Sequence, residues 1–134
     1  MPFVIDASIA ASWLLPDEQH PVASAAYNRL TSDDAVAPSL WWLEMRNLFL
    51  TNERRGRIDA AMTDRALSLL AALPITLDHA PDGPNVMALA RRHRLSAHDA
   101  AYLELAQRLN LPLASLDAAL LAAARAENVV VLNG

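Results

Sequence analysis

The sequence contains no cysteine, which removes disulfide scaffolds, thiolate zinc sites and cysteine nucleophiles together. It contains no lysine either. All 11 basic residues are arginine, so the lysine-assisted chemistry of a receiver-type phosphoacceptor domain is excluded. Neither a G-x-G-x-x-G run nor a P-loop is present, which argues against dinucleotide and nucleoside triphosphate binding. A dehalogenase-type phosphatase would carry Asp-x-Asp after its first strand, whereas the chain reads Asp6-Ala7-Ser8. No basic run precedes the first apolar residues, and the longest uncharged stretch, Ala66 to Leu77, is too short to cross a bilayer. The expectation is a soluble cytoplasmic protein without a membrane partner.

What is present suits one folded unit. With 134 residues, 54% of them hydrophobic, residues 1–134 are expected to form a single domain with enough apolar side chain for a layered core. The first organised stretch is Phe3-Val4-Ile5, a short apolar strand that runs into Asp6 and then into a helix from Ile9 to Leu15. Further strands are expected at Ala35-Val36-Ala37, Ile75-Thr76-Leu77, Leu113-Ala114-Ser115 and residues 129–132. Between them, helices are expected from Pro21 to Leu30, from a Ser39 cap to Arg54, from Asp59 to Pro74, from Asn85 to Arg94, from Ser96 to Leu109 and from Asp117 to Ala126. The stripe Met62, Ala66, Leu69, Leu70 and Leu73 reads as core. Strands that are apolar runs, each separated by helix, indicate an α/β protein: a three-layer α/β/α sandwich around a mostly parallel five-stranded sheet.

In such a sheet ligands bind beyond the carboxyl ends of the strands. Asp6 follows the first strand and Asp117 the fourth. Glu44 interrupts the apolar face of its helix between Leu40, Trp41 and Leu48, and Asp99 shares a face with Leu95, Tyr102 and Leu103. Each acid also has a plain structural reading, Asp6 and Asp117 as N-caps and Asp99 as the far end of a capping box with Ser96. Together they make an oxygen-only ligand set. Carboxylates that crowd repel unless a cation lies between them, so a hard divalent ion, Mg2+ or Mn2+, suits the set. His20, His79, His93 and His98 lack a zinc-type spacing, and His98 is read as solvent-facing or capping.

Val4-Ile5-Asp6-Ala7-Ser8, Glu44-Met45-Arg46-Asn47, His98-Asp99-Ala100-Ala101-Tyr102-Leu103 and Ser115-Leu116-Asp117 resemble, in order and spacing, the PIN-domain ribonucleases of the VapC toxin type, over nearly the whole chain. The resemblance implies strand order 3-2-1-4-5 and an Mg2+- or Mn2+-dependent RNA endonuclease with Asp6, Glu44, Asp99 and Asp117 as its acidic cluster. It also implies a homodimer and a cognate antitoxin that plugs the site. Two positions depart from the pattern: His98 stands where tyrosine is common, and Ser115 where threonine is common.

A metal-activated water would attack the phosphodiester and leave a 5′-phosphate and a 3′-hydroxyl. Ser8, Asn47 and Ser115 are the expected supporting residues, orienting ligands or bound water. The net charge of −4 does not forbid RNA, because setting the four acids aside leaves a balanced remainder. Candidate phosphate contacts are Arg54, Arg55 and Arg57, and Arg91, Arg92 and Arg94, although cations also favour helix C-termini for the dipole alone. Helices near Trp13, Tyr27 and Trp41 are expected to form a groove for a partner segment carrying an arginine. The rival reading is a noncatalytic PIN-like module that binds RNA or protein.

Overall fold

Phe3, Val4 and Ile5 are all at 0% exposure, a condition met only where helices cover both faces of a central strand. Each of these side chains contributes about 1.5–3 kcal/mol by leaving water. In this computed structural model, which describes residues 1–16 and 18–133, they form β1 (Phe3–Ile5). Strands β2 (Ala35–Pro38), β3 (Ile75–Asp78) and β4 (Leu113–Ala114) complete a sheet of order β3-β2-β1-β4. Every pairing is parallel, with Phe3 opposite Ala35, Val4 opposite Leu113 and Pro38 opposite Asp78.

Parallel neighbours need crossovers, and helices supply them. Helices α1 (Ala7–Leu14) and α2 (Pro21–Arg29) join β1 to β2, and α3 (Leu40–Arg54) and α4 (Ala60–Ala72) join β2 to β3. Helices α5 (Gly83–His93) and α6 (Ala97–Leu109) join β3 to β4, and α7 (Ala118–Ala126) follows. Right-handed crossovers put α1 to α4 on one face of the sheet and α5 to α7 on the other. The contacts agree: α1 packs on α2 and α3, whereas α6 packs on α5, α7, β1 and β2. The result is the expected α/β sandwich.

The fifth strand is reduced to one bridge. Val131 pairs in parallel with Leu113, through Leu113 N to Val130 O at 2.8 Å and Leu132 N to Leu113 O at 2.9 Å. Residues 129–132 thus take the outer place beside β4, but β4 is only two residues long and offers no second rung. Local chemistry sets the helix starts: Asp6, Asp59, Asp82, Ser96 and Asp117 each accept an amide hydrogen bond as N-cap. The Asp82 cap starts α5 at Gly83, two residues before the expected Asn85. Ser39 is a correction. Its side chain makes no capping bond, and instead its amide donates to Asp78 O at 2.9 Å, tying the start of α3 to the end of β3. Leu69 is a second correction, being 59% exposed, while Ala66 and Leu70 face the core. No helix among the described residues is long and apolar enough to cross a membrane.

Two charge clusters hold the α5 to α7 layer. Glu104 is 1% exposed, and its carboxylate accepts from Arg108 Nε at 2.6 Å and from the Asp82 amide at 3.2 Å. Arg108 reaches on to Asp78 at the end of β3, 2.7 Å away, and holds that carboxyl below its usual range. A buried carboxylate survives only when paired, so removing its partner strands a charge. Arg108→Ala is therefore expected to cost about 3 kcal/mol, read as a lower urea midpoint at unchanged slope. A loss below about 0.5 kcal/mol, the range of ordinary surface substitutions, would contradict the pairing.

Glu127, just past α7, accepts from His93 Nε2 at 2.6 Å, Arg92 at 2.8 Å and Gln107 at 3.0 Å. These bonds, His93 first, bring its carboxyl down from 4.5 to about 2. A depressed acid stabilises the fold above its unfolded pKa, so this contribution is complete above pH 4.5 and fades as pH falls toward 2. Glu127→Gln should lower stability at neutral pH and flatten the acid limb over that window. Parallel acid limbs for the two proteins in a pH series of melts would refute the assignment.

Candidate active site

Asp6 closes β1 and is 5% exposed, so its charge sits at the boundary of the core. Oδ1 accepts from the Ser8 hydroxyl at 2.6 Å and from the Ile9 amide at 3.2 Å, and Oδ2 accepts from the Ser115 hydroxyl. Each serine oxygen in turn accepts an amide from beyond β4: Leu116 N donates to Ser8 Oγ at 2.9 Å and Asp117 N to Ser115 Oγ at 3.0 Å. The turn after β1 and the turn after β4 are thereby sewn together through one carboxylate. Burial nevertheless dominates and raises the Asp6 pKa, the Ser115, Ser8 and Ile9 donors offsetting it only in part.

Asp99 enters from the first turn of α6, where the Ser96 hydroxyl accepts its amide at 3.1 Å, the first half of a capping box. It is half-buried, and its pKa is raised by burial and then by the charge of Asp117. Asp99 in turn adds to the rise at Asp6. Burial is the larger cause at both. Asp117 is exposed and caps α7 through Leu120 N at 2.9 Å, so the capping reading and the site reading hold for one residue.

Glu44 is half-buried on α3 and accepts the hydroxyl of Tyr102. Tyr102 is 1% exposed, and its phenol lies far above its ordinary range because of burial and then Glu44, with Asp6 and Asp99 adding to the effect. The four acids therefore converge electrostatically from β1, α3, α6 and α7. The sequence places Tyr102 on the Asp99 face and within the same motif but assigns it no role, and its position three residues on was the available signal. Asn47 stands exposed one turn along α3, and His98 is exposed beside Asp99.

The donor chemistry fits a hard cation, being all oxygen. No group of three acidic or histidine side chains stands close enough to share one ion among the described residues. Mg2+ tolerates that arrangement, since it keeps several waters and is usually held through one or two carboxylates together with substrate phosphates.

The arginines divide. Arg57 pairs with Glu18 at 3.1 Å and Asn52 at 2.9 Å, and Arg92 pairs with Glu127, whereas Arg54, Arg55, Arg91 and Arg94, exposed like them, make no ion pair among the described residues. The expected groove divides too. Trp13 and Tyr27 meet edge to face at 5.4 Å and line a cavity of about 490 Å³ with Leu69 and Leu73. Trp41 does not join them; it is 6% exposed and lines a separate recess with Trp42 and Arg46, whose guanidinium lies 3.5 Å over the Trp42 ring. The physical reason is helical phase, which turns Trp41 inward toward α4 and β3.

Residues 3–129 match the family model for the PIN domain. The chain belongs to the PIN domain family. Solved structures of similar fold include PAE2754 from Pyrobaculum aerophilum, 22% identical, with a TM-score of 0.75 over 98% of this chain and 89% of that one. VapBC2 from Rickettsia felis, bound to a DNA fragment from its promoter, aligns at 9% identity and a TM-score of 0.67 over 99% and 98%. VapC20 from Mycobacterium tuberculosis, a toxin that cleaves the sarcin-ricin loop, aligns at 13% identity and 0.61 over 90% and 94%. No curated protein matches by sequence.

In this PIN domain, a charge that both burial and Asp117 disfavour weakens the metal-free fold. Asp99→Asn keeps the side-chain size and the Ser96 cap on its amide, so it should raise the melting temperature without metal by a few degrees. A lower melting temperature would show Asp99 to be chiefly a capping residue, a role worth about 1 kcal/mol.

Proposed function

We propose that the chain is a metal-dependent RNA endonuclease and the toxin of a toxin–antitoxin pair. The observation that carries this reading is the convergence of Asp6, Glu44, Asp99 and Asp117 from four separate elements, two of them raised in pKa, at the carboxyl end of a parallel sheet. Mg2+ or Mn2+ would be held by these acids and, when bound, would lower the pKa of a water and neutralise charge developing on the phosphate.

The chain's own part is positioning. Ser8 and Ser115 fix both oxygens of Asp6, so this acid cannot swing with solvent. Tyr102 fixes one oxygen of Glu44, and Asp99 and Asp117 stay open enough to meet solvent and substrate. Exposed Arg54, Arg55, Arg91 and Arg94 are left for the RNA backbone, whereas Arg57 and Arg92 would first have to leave their carboxylates. Asn47 would orient bound water from the next turn of α3.

Regulation follows from the same charges. A homodimer in the cytoplasm, silenced by an antitoxin segment that lies in the Trp13–Tyr27 groove and sends an arginine into the acids, fits the apolar lining and the negative pocket. The absence of a preformed three-ligand group among the described residues favours one rival, a noncatalytic module that binds RNA or protein. Incubation of the purified chain with defined RNAs and Mn2+ is expected to give fragments with 5′-phosphate and 3′-hydroxyl ends, and Asp99→Asn is expected to give none. Mn2+ at a hundredfold excess over its Kd should stabilise the wild type by about 2.7 kcal/mol, and the variant much less. A wild-type chain that cleaves no RNA would leave the binding module as the better reading.

A further inference from the structure

We propose that Tyr102 is the positioning residue for Glu44, its hydroxyl aiming that carboxylate at the metal so that α6 supplies both an acid of the site, Asp99, and the group that orients another. The proposal rests on the metal reading above and adds a residue to it.

The core anchors the ring. Tyr102 is among the largest fully buried side chains, at 1% exposure, so its ring is fixed by the core and its hydroxyl has one place to be. That place is against Glu44 Oε1, which lies 58 residues away in sequence on a different helix. A glutamate has three side-chain torsions, and a half-buried one on a helix surface samples several rotamers unless something holds it. Among the described residues, Tyr102 is the hydrogen-bond donor to this carboxylate. With Oε1 held, Oε2 remains for a ligand.

The chemical type of the donor matters as much as its position. An arginine or lysine here would bring a positive charge to the spot where a cation must bind, and would weaken that binding. A phenol orients the acid through a hydrogen bond and adds no charge. Asp6 shows the same device, two neutral hydroxyls on a carboxylate and no cation.

Tyr102→Phe keeps the ring and removes the oxygen, so the test separates orientation from packing. Groups that orient a metal ligand typically change metal affinity 10- to 100-fold when lost. Isothermal titration with Mn2+ alone is therefore expected to show Tyr102→Phe binding about 10- to 100-fold more weakly, with the metal-free melting temperature shifted by only a few degrees. Glu44→Gln should lose at least as much, and the double variant no more than Glu44→Gln, because Tyr102 acts through that acid.

Wild-type affinity in Tyr102→Phe, with Glu44→Gln impaired, would overturn the proposal, as would losses that multiply in the double variant. If the wild type takes up no Mn2+, or Glu44→Gln binds it normally, the metal reading itself fails and the proposal falls with it. Should Tyr102→Phe not fold, Glu44→Asp withdraws the carboxylate from the hydroxyl by one methylene and leaves the core intact. It is then expected to bind Mn2+ about 10-fold more weakly, and unchanged binding would overturn the proposal.

Discussion

A carboxylate at the end of a fully buried strand must be given hydrogen bonds or it will not stay charged, and the way Asp6 receives them shapes this PIN domain. Its donors are the hydroxyls of Ser8 and Ser115 and the amide of Ile9, and the serines are in turn held by the amides of Leu116 and Asp117. One anion therefore caps α1, registers β4 against β1 and sets where α7 begins. Because α7 begins at Asp117, the same network also places a second acid at the crevice.

The charges of the molecule fall into two populations with different electrostatics. Glu104 and Glu127 are held by cations or amide donors, and Arg108 and His93 bind α6 and α5 to their surroundings through them. Those clusters stabilise. Asp6, Glu44 and Asp117 are held by hydroxyls and amides, and among the described residues neither they nor Asp99 pairs with a cation. A site arranged in this way retains its negative potential, which is what a cation requires, and it does so at a cost in stability that burial makes visible in the raised Asp6 and Asp99.

Much of the candidate site was legible as residue types. The acids stand out because each interrupts an apolar pattern or follows an apolar run, and four such interruptions at one end of a parallel sheet are hard to explain separately. The serines were legible for the same reason, each standing two residues from an acid. Tyr102 was not, because a tyrosine on an apolar face looks like core, and most of it is core. Only the hydroxyl departs from that reading, and its partner lies on another helix.

The sequence by itself determined the alternation of strand and helix, the parallel sheet and the caps at Asp6, Asp59, Ser96 and Asp117, because these depend on side chains within a few residues of one another. It also supplied the resemblance to the PIN family, which the family match bears out. Only the tertiary structure decided that residues 129–132 make a single bridge, that Leu69 faces out, and that Trp41 is separated from Trp13 and Tyr27. It alone paired Glu104 with Arg108 and Asp78, and Tyr102 with Glu44. The physical reason is range: periodicity reports which face of an element is apolar, but the partner of a polar atom on that face is set by how elements distant in sequence cross.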